Sequence, residues 1–255
     1  MKKIKIKKNN NIQKDDDNNK KNVKRIKSSS SSSSSSSRLL DLLDMSNPNP
    51  IKIGNYTNKQ KILLVGEGDF TFASSLASKL GSRSNIVATS YDKEREVKEK
   101  YPETSIHAIN ALKMSGALVF HGIDATRLND YEDILLNPSS IKLFDVIVFN
   151  FPHVGGSTKD DIKANQNLLK DFFTSCNSLL ASNGEIHITL RTKSSFYSNW
   201  NVEKLAKDSN LKLKKTVKFD SIAYKELGYQ EVRTHPGALR DAPSSDDAIT
   251  YIFCE

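Results

Sequence analysis

Short apolar runs alternate with amphipathic stretches from about residue 61 onward. Lys61 to Val65 (KILLV), Ile86 to Ser90 (IVATS), Leu118 to Phe120 and Phe144 to Phe149 (FDVIVF) are strand-length and nearly unbroken, the pattern of strands buried on both faces of a parallel sheet. After the first run, Phe72, Ala73, Leu76, Ala77 and Leu80 recur at helical spacing, with Gly81 as a stop. Charged residues 93–100 predict a short surface helix ended by Pro102, residues 104–115 a second, and Tyr131 to Leu136 a weakly patterned third. Asp160 to Leu180 predicts a long amphipathic helix burying Leu168, Leu169, Phe172, Phe173, Leu179 and Leu180. Asn183-Gly184 then turns into a strand at Glu185 to Leu190, followed by a helix at Val202 to Asp208 and strands at Leu211 to Phe219 and Ala248 to Cys254. Strands separated by helices predict an α/β fold. Its sheet is mostly parallel and seven-stranded, with helices on both faces and a C-terminal antiparallel hairpin.

Residues 1–60 do not share this pattern. They are rich in Lys, Asn, Asp and Ser and include ten consecutive serines, Ser28 to Ser37. Such a segment buries too little apolar surface to offset the entropy of ordering, which predicts a disordered arm before a single domain at 61–255. Charge divides at the same place. Residues 1–60 hold 14 Lys and Arg against 5 Asp and Glu, the remainder 24 against 25, so the arm carries all of the net +8. A basic arm gives salt-dependent affinity for polyanions or a nuclear address; a compositionally biased extension gives the same counts. Cys176 and Cys254 are far apart, with no metal-ligand spacing, and read as reduced core thiols in an intracellular compartment. No apolar run suits a membrane span or a signal peptide, so no membrane partner is expected. The oligomeric state is left open, and a monomer is compatible with it.

Four segments, 66–70, 90–92, 122–125 and 150–156, fall at predicted strand ends, where ligands bind in open α/β sheets. Gly66 and Gly68 permit a tight turn and close backbone approach to a ligand, with a helix N-terminus behind it. A strand–helix turn also uses glycine for geometry alone, and no third glycine completes a dinucleotide fingerprint. Glu67 and Asp69 would repel a pyrophosphate but suit a cationic methionine end, favouring S-adenosylmethionine over a dinucleotide. Asp92 stands about twenty residues beyond the glycine turn, the distance of a ribose-binding acid; its other reading is a helix cap. Asp124 suits an adenine amino group or a cap before Thr126. Asn150-Phe151-Pro152-His153 is costly as pure structure. The Asn amide carries a donor and an acceptor for the polar edge of a base, Phe151 offers a stacking face, and Pro152 ends the strand. An Asn capping a turn is the plain alternative. Gly155-Gly156 gives the next loop freedom to close over a substrate, and His153 or Lys193 are candidates to take a proton.

In order, LLVGEGDFTF (63–72), ATSYD (88–92), HGIDAT (121–126), FDVIVFNFPHVGG (144–156), GEIHITL (184–190) and the Tyr-Gln…Arg-Thr stretch near 229–234 resemble the eukaryotic ribosomal RNA uridine-N3 methyltransferase-like family, whose founding activity is on 25S rRNA. The resemblance covers residues 61 to 254 and none of the arm. It implies a Rossmann-like class I methyltransferase that uses S-adenosylmethionine to methylate N3 of one uridine in large-subunit rRNA, free or within a pre-ribosomal particle, in the nucleolus. Carried over by position, Gly66, Glu67, Gly68, Asp69 and Phe70 line the methionine and ribose part of the cofactor, Asp92 the ribose and Asp124 the adenine. Asn150, Phe151, Pro152 and His153 hold the flipped base and carry catalysis. Leu64 departs from methyltransferases generally, which often place an acid two residues before the first glycine; Glu67 is the compensating candidate. Arg191 becomes a possible RNA contact. The competing readings are a catalytically silent RNA-binding assembly factor and a dinucleotide-dependent oxidoreductase.

Overall fold

A computed structural model of the chain describes residues 49–81, 85–136, 142–156, 158–193, 195–233 and 242–255. Residues 1–48, and with them most of the predicted arm, lie outside this set, as does Thr234. The described residues build one seven-stranded sheet: β3 (Ile62–Val65), β4 (Ile86–Ser90), β5 (Leu118–His121), β6 (Phe144–Asn150), β7 (Leu180–Arg191), β8 (Lys212–Lys218) and β9 (Ala248–Cys254). The spatial order is β5-β4-β3-β6-β7-β9-β8. The first five of these pair in parallel, and β9 runs antiparallel between β7 and β8. This is the predicted Rossmann-like sheet with its antiparallel end.

Strand order reverses between β3 and β6, whose ends lie side by side with Val65 opposite Phe149. That switch point is where an open α/β sheet leaves a crevice at its carboxyl edge. The pleat sends alternate side chains to opposite faces. Val146 and Val148 pack on one side with α1 (Thr71–Leu80) and α3 (Ser105–Met114), while Ile147 and Phe149 pack on the other with α5 (Lys159–Cys176) and α7 (Val202–Asp208). A helix α2 (Glu94–Lys100) lies between the β4 end and α3.

The domain begins earlier than the composition predicts. β1 (Lys52–Ile53) and β2 (Tyr56–Thr57) form a small antiparallel hairpin, and Ile53 and Tyr56 are buried in the α1-side core. Tyr56 OH lies 3.3 Å from Nδ1 of His187, which is fully buried in β7 and bonded through Nε2 to Glu185 at 2.9 Å. Residues 49–60 therefore belong to the folded unit, which runs from Asn49 to Glu255. Two-residue strands carry no periodicity, so composition hid the hairpin.

The remaining differences are local. The expected turn at Asn183-Gly184 is an irregularity within β7: Leu180 pairs with Phe144, the register shifts, and Glu185 pairs with Val146. Asn183 takes φ 71° there. The long helix α5 stops at Cys176, and Leu180 starts β7. Two short helices, α6 (Ser195–Ser198) and α8 (Ser221–Lys225), escaped prediction because neither spans enough residues for a 3.6-residue period to show. The weakly patterned helix at Tyr131 to Leu136 is α4 (Glu132–Leu136), entered through a 3₁₀ segment, Ala125–Tyr131.

Candidate active site

The glycine loop leaves β3 with Gly66 at φ 68°, and a Cβ there would meet the Phe149 ring at 2.4 Å. Glycine is thus required twice over, by dihedral and by space. The Glu67 amide donates to Thr89 O at 2.8 Å, tying the loop to β4. Its carboxylate folds back to accept the Ala73 N–H at 3.1 Å, at the N-terminus of α1. Burial pushes the Glu67 carboxyl up to about 8, against the opposing pull of that hydrogen bond. Asp69 is also raised by burial; Oδ1 accepts from the Thr71 amide and hydroxyl, while buried Oδ2 has no hydrogen-bond partner among the described residues. No described Lys or Arg forms an ion pair with either acid. Phe70, expected to line the cofactor, sits at φ 66° and is wholly buried, its ring edge-on to His121 at 5.3 Å.

Asp92, at the end of β4, is half-buried and receives Lys100 Nζ on both oxygens, at 2.8 and 2.7 Å. It caps no helix; the α2 N-terminus is closed by Glu96 on the Lys93 amide. Asp124 caps the 3₁₀ segment, with Oδ1 accepting from the Thr126 amide and hydroxyl. The β4 and β5 ends are joined by Gly122 N–H to Asp92 O at 3.2 Å and Ile123 N–H to Ser90 O at 2.9 Å. All four predicted segments thus stand at carboxyl ends of adjacent parallel strands. A shallow cleft of about 280 Å³ opens on the α1–α3 flank beside Thr71, Thr104, His107 and Gln230; no residue of the β5 or β6 ends lines it.

The Asn-Phe-Pro-His motif is divided between the two faces of the sheet. Asn150 is the last residue of β6, on the α1 face with Val148, and Thr189 Oγ1 donates to its Oδ1 at 2.6 Å. That commits the Thr189 proton, so Thr250 Oγ1, 2.9 Å away, must donate to Thr189. The amide is held with Nδ2 buried and unpartnered among the described residues. Phe151, at φ 51°, packs edge-on to Phe219 at 5.6 Å, and the Arg191 guanidinium lies 5.8 Å from its ring centre. Pro152 is buried. His153 faces the other way, stacked on Phe196 at 5.7 Å and close to Tyr197 and Trp200. Its Nδ1 accepts the Gly155 N–H at 2.7 Å, and burial lowers its pKa. A neutral ring whose Nδ1 accepts carries its proton on Nε2 and has no lone pair left for a substrate. His153 therefore does not take a proton in this arrangement.

Residues 63–233 match the family described as rRNA (uridine-N3-)-methyltransferase BTM5-like. The chain belongs to this family. S-adenosylmethionine is accordingly the methyl donor of this methyltransferase family member. It is 38% identical over 194 residues to heavy metal-associated isoprenylated plant protein 41 of Arabidopsis thaliana, covering 74% of this chain but only 36% of that protein. It is 28% identical over 255 residues to the 25S rRNA (uridine(2634)-N(3))-methyltransferase of Saccharomyces cerevisiae, covering 80% and 75% of the two chains. Among solved structures, TrmN from Thermus thermophilus matches with a TM-score of 0.46 and 18% identity, over 84% of this chain and 47% of that one.

Two residues behind Asn150, Thr189 and Thr250, were not singled out from the sequence, and Arg191 was expected only as an RNA contact. A signal for Thr189 was present. His187, Thr189 and Arg191 alternate with Ile186, Ile188 and Leu190, a polar stripe of period two in a strand otherwise fit for burial. Thr250 lies opposite Thr189 in β9, and that pairing follows from register alone.

Proposed function

We propose that this chain transfers a methyl group from S-adenosylmethionine to N3 of a uridine in large-subunit ribosomal RNA, free or in a pre-ribosomal particle, in the nucleolus. The observation that carries the reading is Asn150, an amide fixed on its acceptor side and left with a buried, unsatisfied donor at the switch point of the sheet. Leaving such a donor unpaired costs about 1–3 kcal/mol. A base that presents an acceptor there recovers it.

The residues of the β3 loop fit the cofactor. Two acids raised by burial, with no cationic side chain paired to them and one carboxylate oxygen orphaned, suit the ammonium of a methionine end. The Gly66 turn, packed on the Phe149 ring, sets the path of that loop. Asp92 would hold the ribose while sharing its charge with Lys100, and Asp124 would face the adenine through the carboxylate whose Oδ1 already caps Thr126. When bound, S-adenosylmethionine supplies an electrophilic methyl carbon. Asn150 orients the base edge, Phe151 and Pro152 shape the wall beside it, and His153, turned to the Phe196–Trp200 cluster, braces the loop from behind.

The test is direct. Purified full-length chain is incubated with labelled S-adenosylmethionine and large-subunit rRNA, and the nucleosides are resolved by mass spectrometry. Label in 3-methyluridine supports the reading. Label elsewhere, or cofactor binding without transfer to naked or pre-ribosomal RNA, overturns it.

A further inference from the structure

A second unpartnered donor stands beside Asn150, at the end of β7. Asn150 Nδ2 and Arg191 Nε are both buried without a hydrogen-bond partner among the described residues. They share a face. Asn150 lies opposite Thr189, and Arg191 stands two residues further along β7, on the same side of the pleat and ~6–7 Å beyond. Both are fixed from behind. The amide is held by the Thr250–Thr189 hydroxyl chain, and the guanidinium donates through Nη2 to Pro243 O at 2.7 Å while lying over Phe151. The orphaned acceptor, Asp69 Oδ2, belongs to the β3 loop and not to this pair. The pair therefore fits a ligand that presents acceptors, one of them able to carry negative charge.

Resting on the uridine reading above, we infer that Asn150 and Arg191 form a donor pair that reads the two carbonyl oxygens flanking uracil N3 and holds the base as its N3 anion. Uracil offers acceptor, N3–H and acceptor along one edge. Cytosine and adenine place an amino donor beside the corresponding nitrogen, and that donor would meet a donor here. This excludes them as substrates. The N3–H bond breaks with its electron pair left on the ring, spread over N3 and both oxygens, and the proton passes to hydroxide or a buffer base in solvent. That pair then forms the bond to the methyl carbon, and the pair of the carbon–sulfur bond leaves with sulfur. Arg191 acts as fixed positive charge where negative charge develops. The scheme needs no protein base, in keeping with the engaged Nδ1 of His153.

The experiment compares the full chain with Arg191→Met and Arg191→Lys on large-subunit rRNA transcribed with UTP or with 5-fluoro-UTP, whose N3 is the more acidic. With ordinary uridine, Arg191→Met should lose ~10²-fold in transfer rate, the size of a lost oxyanion donor. Arg191→Lys should fall between it and the parent. With 5-fluorouridine both variants should recover most of the loss, because the base then ionises unaided, while cofactor affinity stays unchanged throughout. An equal loss on both RNAs, or none on either, overturns the inference. If Arg191→Met fails to fold, Arg191→Lys alone decides by the same comparison. Failure of the parent chain to form any 3-methyluridine would instead remove the uridine reading beneath it.

Discussion

At the scale of single residues, two kinds of tension gather at one edge of the sheet. Donors are buried without acceptors at Asn150 and Arg191, and acids raised by desolvation stand without cations at Glu67 and Asp69. Phe70 and Phe151, at φ 66° and 51°, add backbone strain of order 1–3 kcal/mol each. A structure tolerates these costs where a ligand relieves them. Asn150→Ala should therefore abolish methyl transfer while leaving S-adenosylmethionine affinity within about twofold, as read by calorimetry and single-turnover assay; parallel loss of both would make Asn150 structural. Glu67 gives a pH signature. In the unfolded chain its carboxyl ionises near 4.5, whereas the folded site keeps the proton to about 8. Folding of the ligand-free protein is thus penalised progressively between those values and by a constant amount above them. Glu67→Gln should raise the melting temperature above pH 8 and change nothing below pH 4. A cationic ligand needs the ionised form, so cofactor binding near pH 7 should release a proton, and affinity should rise toward pH 8. Calorimetry in buffers of differing ionisation heat measures that release; none would detach Glu67 from the cofactor.

At the scale of elements, the apolar strands β3, β4 and β6 and helix α7 were legible because each is long enough for burial to show as a run or a period. The two-residue strands β1 and β2 and the short helices α6 and α8 were not. The β1–β2 hairpin is the consequential case, since it covers His187 with Tyr56 and adds Ile53 to the α1-side core. A chain beginning at residue 61 should lose several kcal/mol relative to one beginning at 49, as expected for removing two buried side chains and exposing a polar group. Denaturant melts of the two truncations test this, and equal midpoints would return the hairpin to the arm. The division of Asn-Phe-Pro-His is likewise a matter of elements. β6 ends at Asn150 and the chain turns at the left-handed Phe151, so Asn150 and His153 fall on different sides although the motif reads as one unit.

At the scale of the whole molecule, charge and chemistry are separated along the chain. Residues 1–48 hold 12 Lys and Arg against 5 acids, while the acidic β3 loop and the donor pair lie within the folded unit. Removing residues 1–48 should weaken rRNA binding and flatten its dependence on salt, with the folded unit and its cofactor affinity intact. An unchanged salt slope would deny the arm that role. The amino-acid sequence by itself determined the fold class, the order of the main strands and the four loops at their ends, because hydrophobic period and turn chemistry are local properties. It also marked Asn150 as the residue to watch. Only the tertiary structure decided that Asn150 stands beside Thr189, Thr250 and Arg191 and apart from His153. Those partnerships depend on which strands become neighbours and in what register, and no local pattern encodes that.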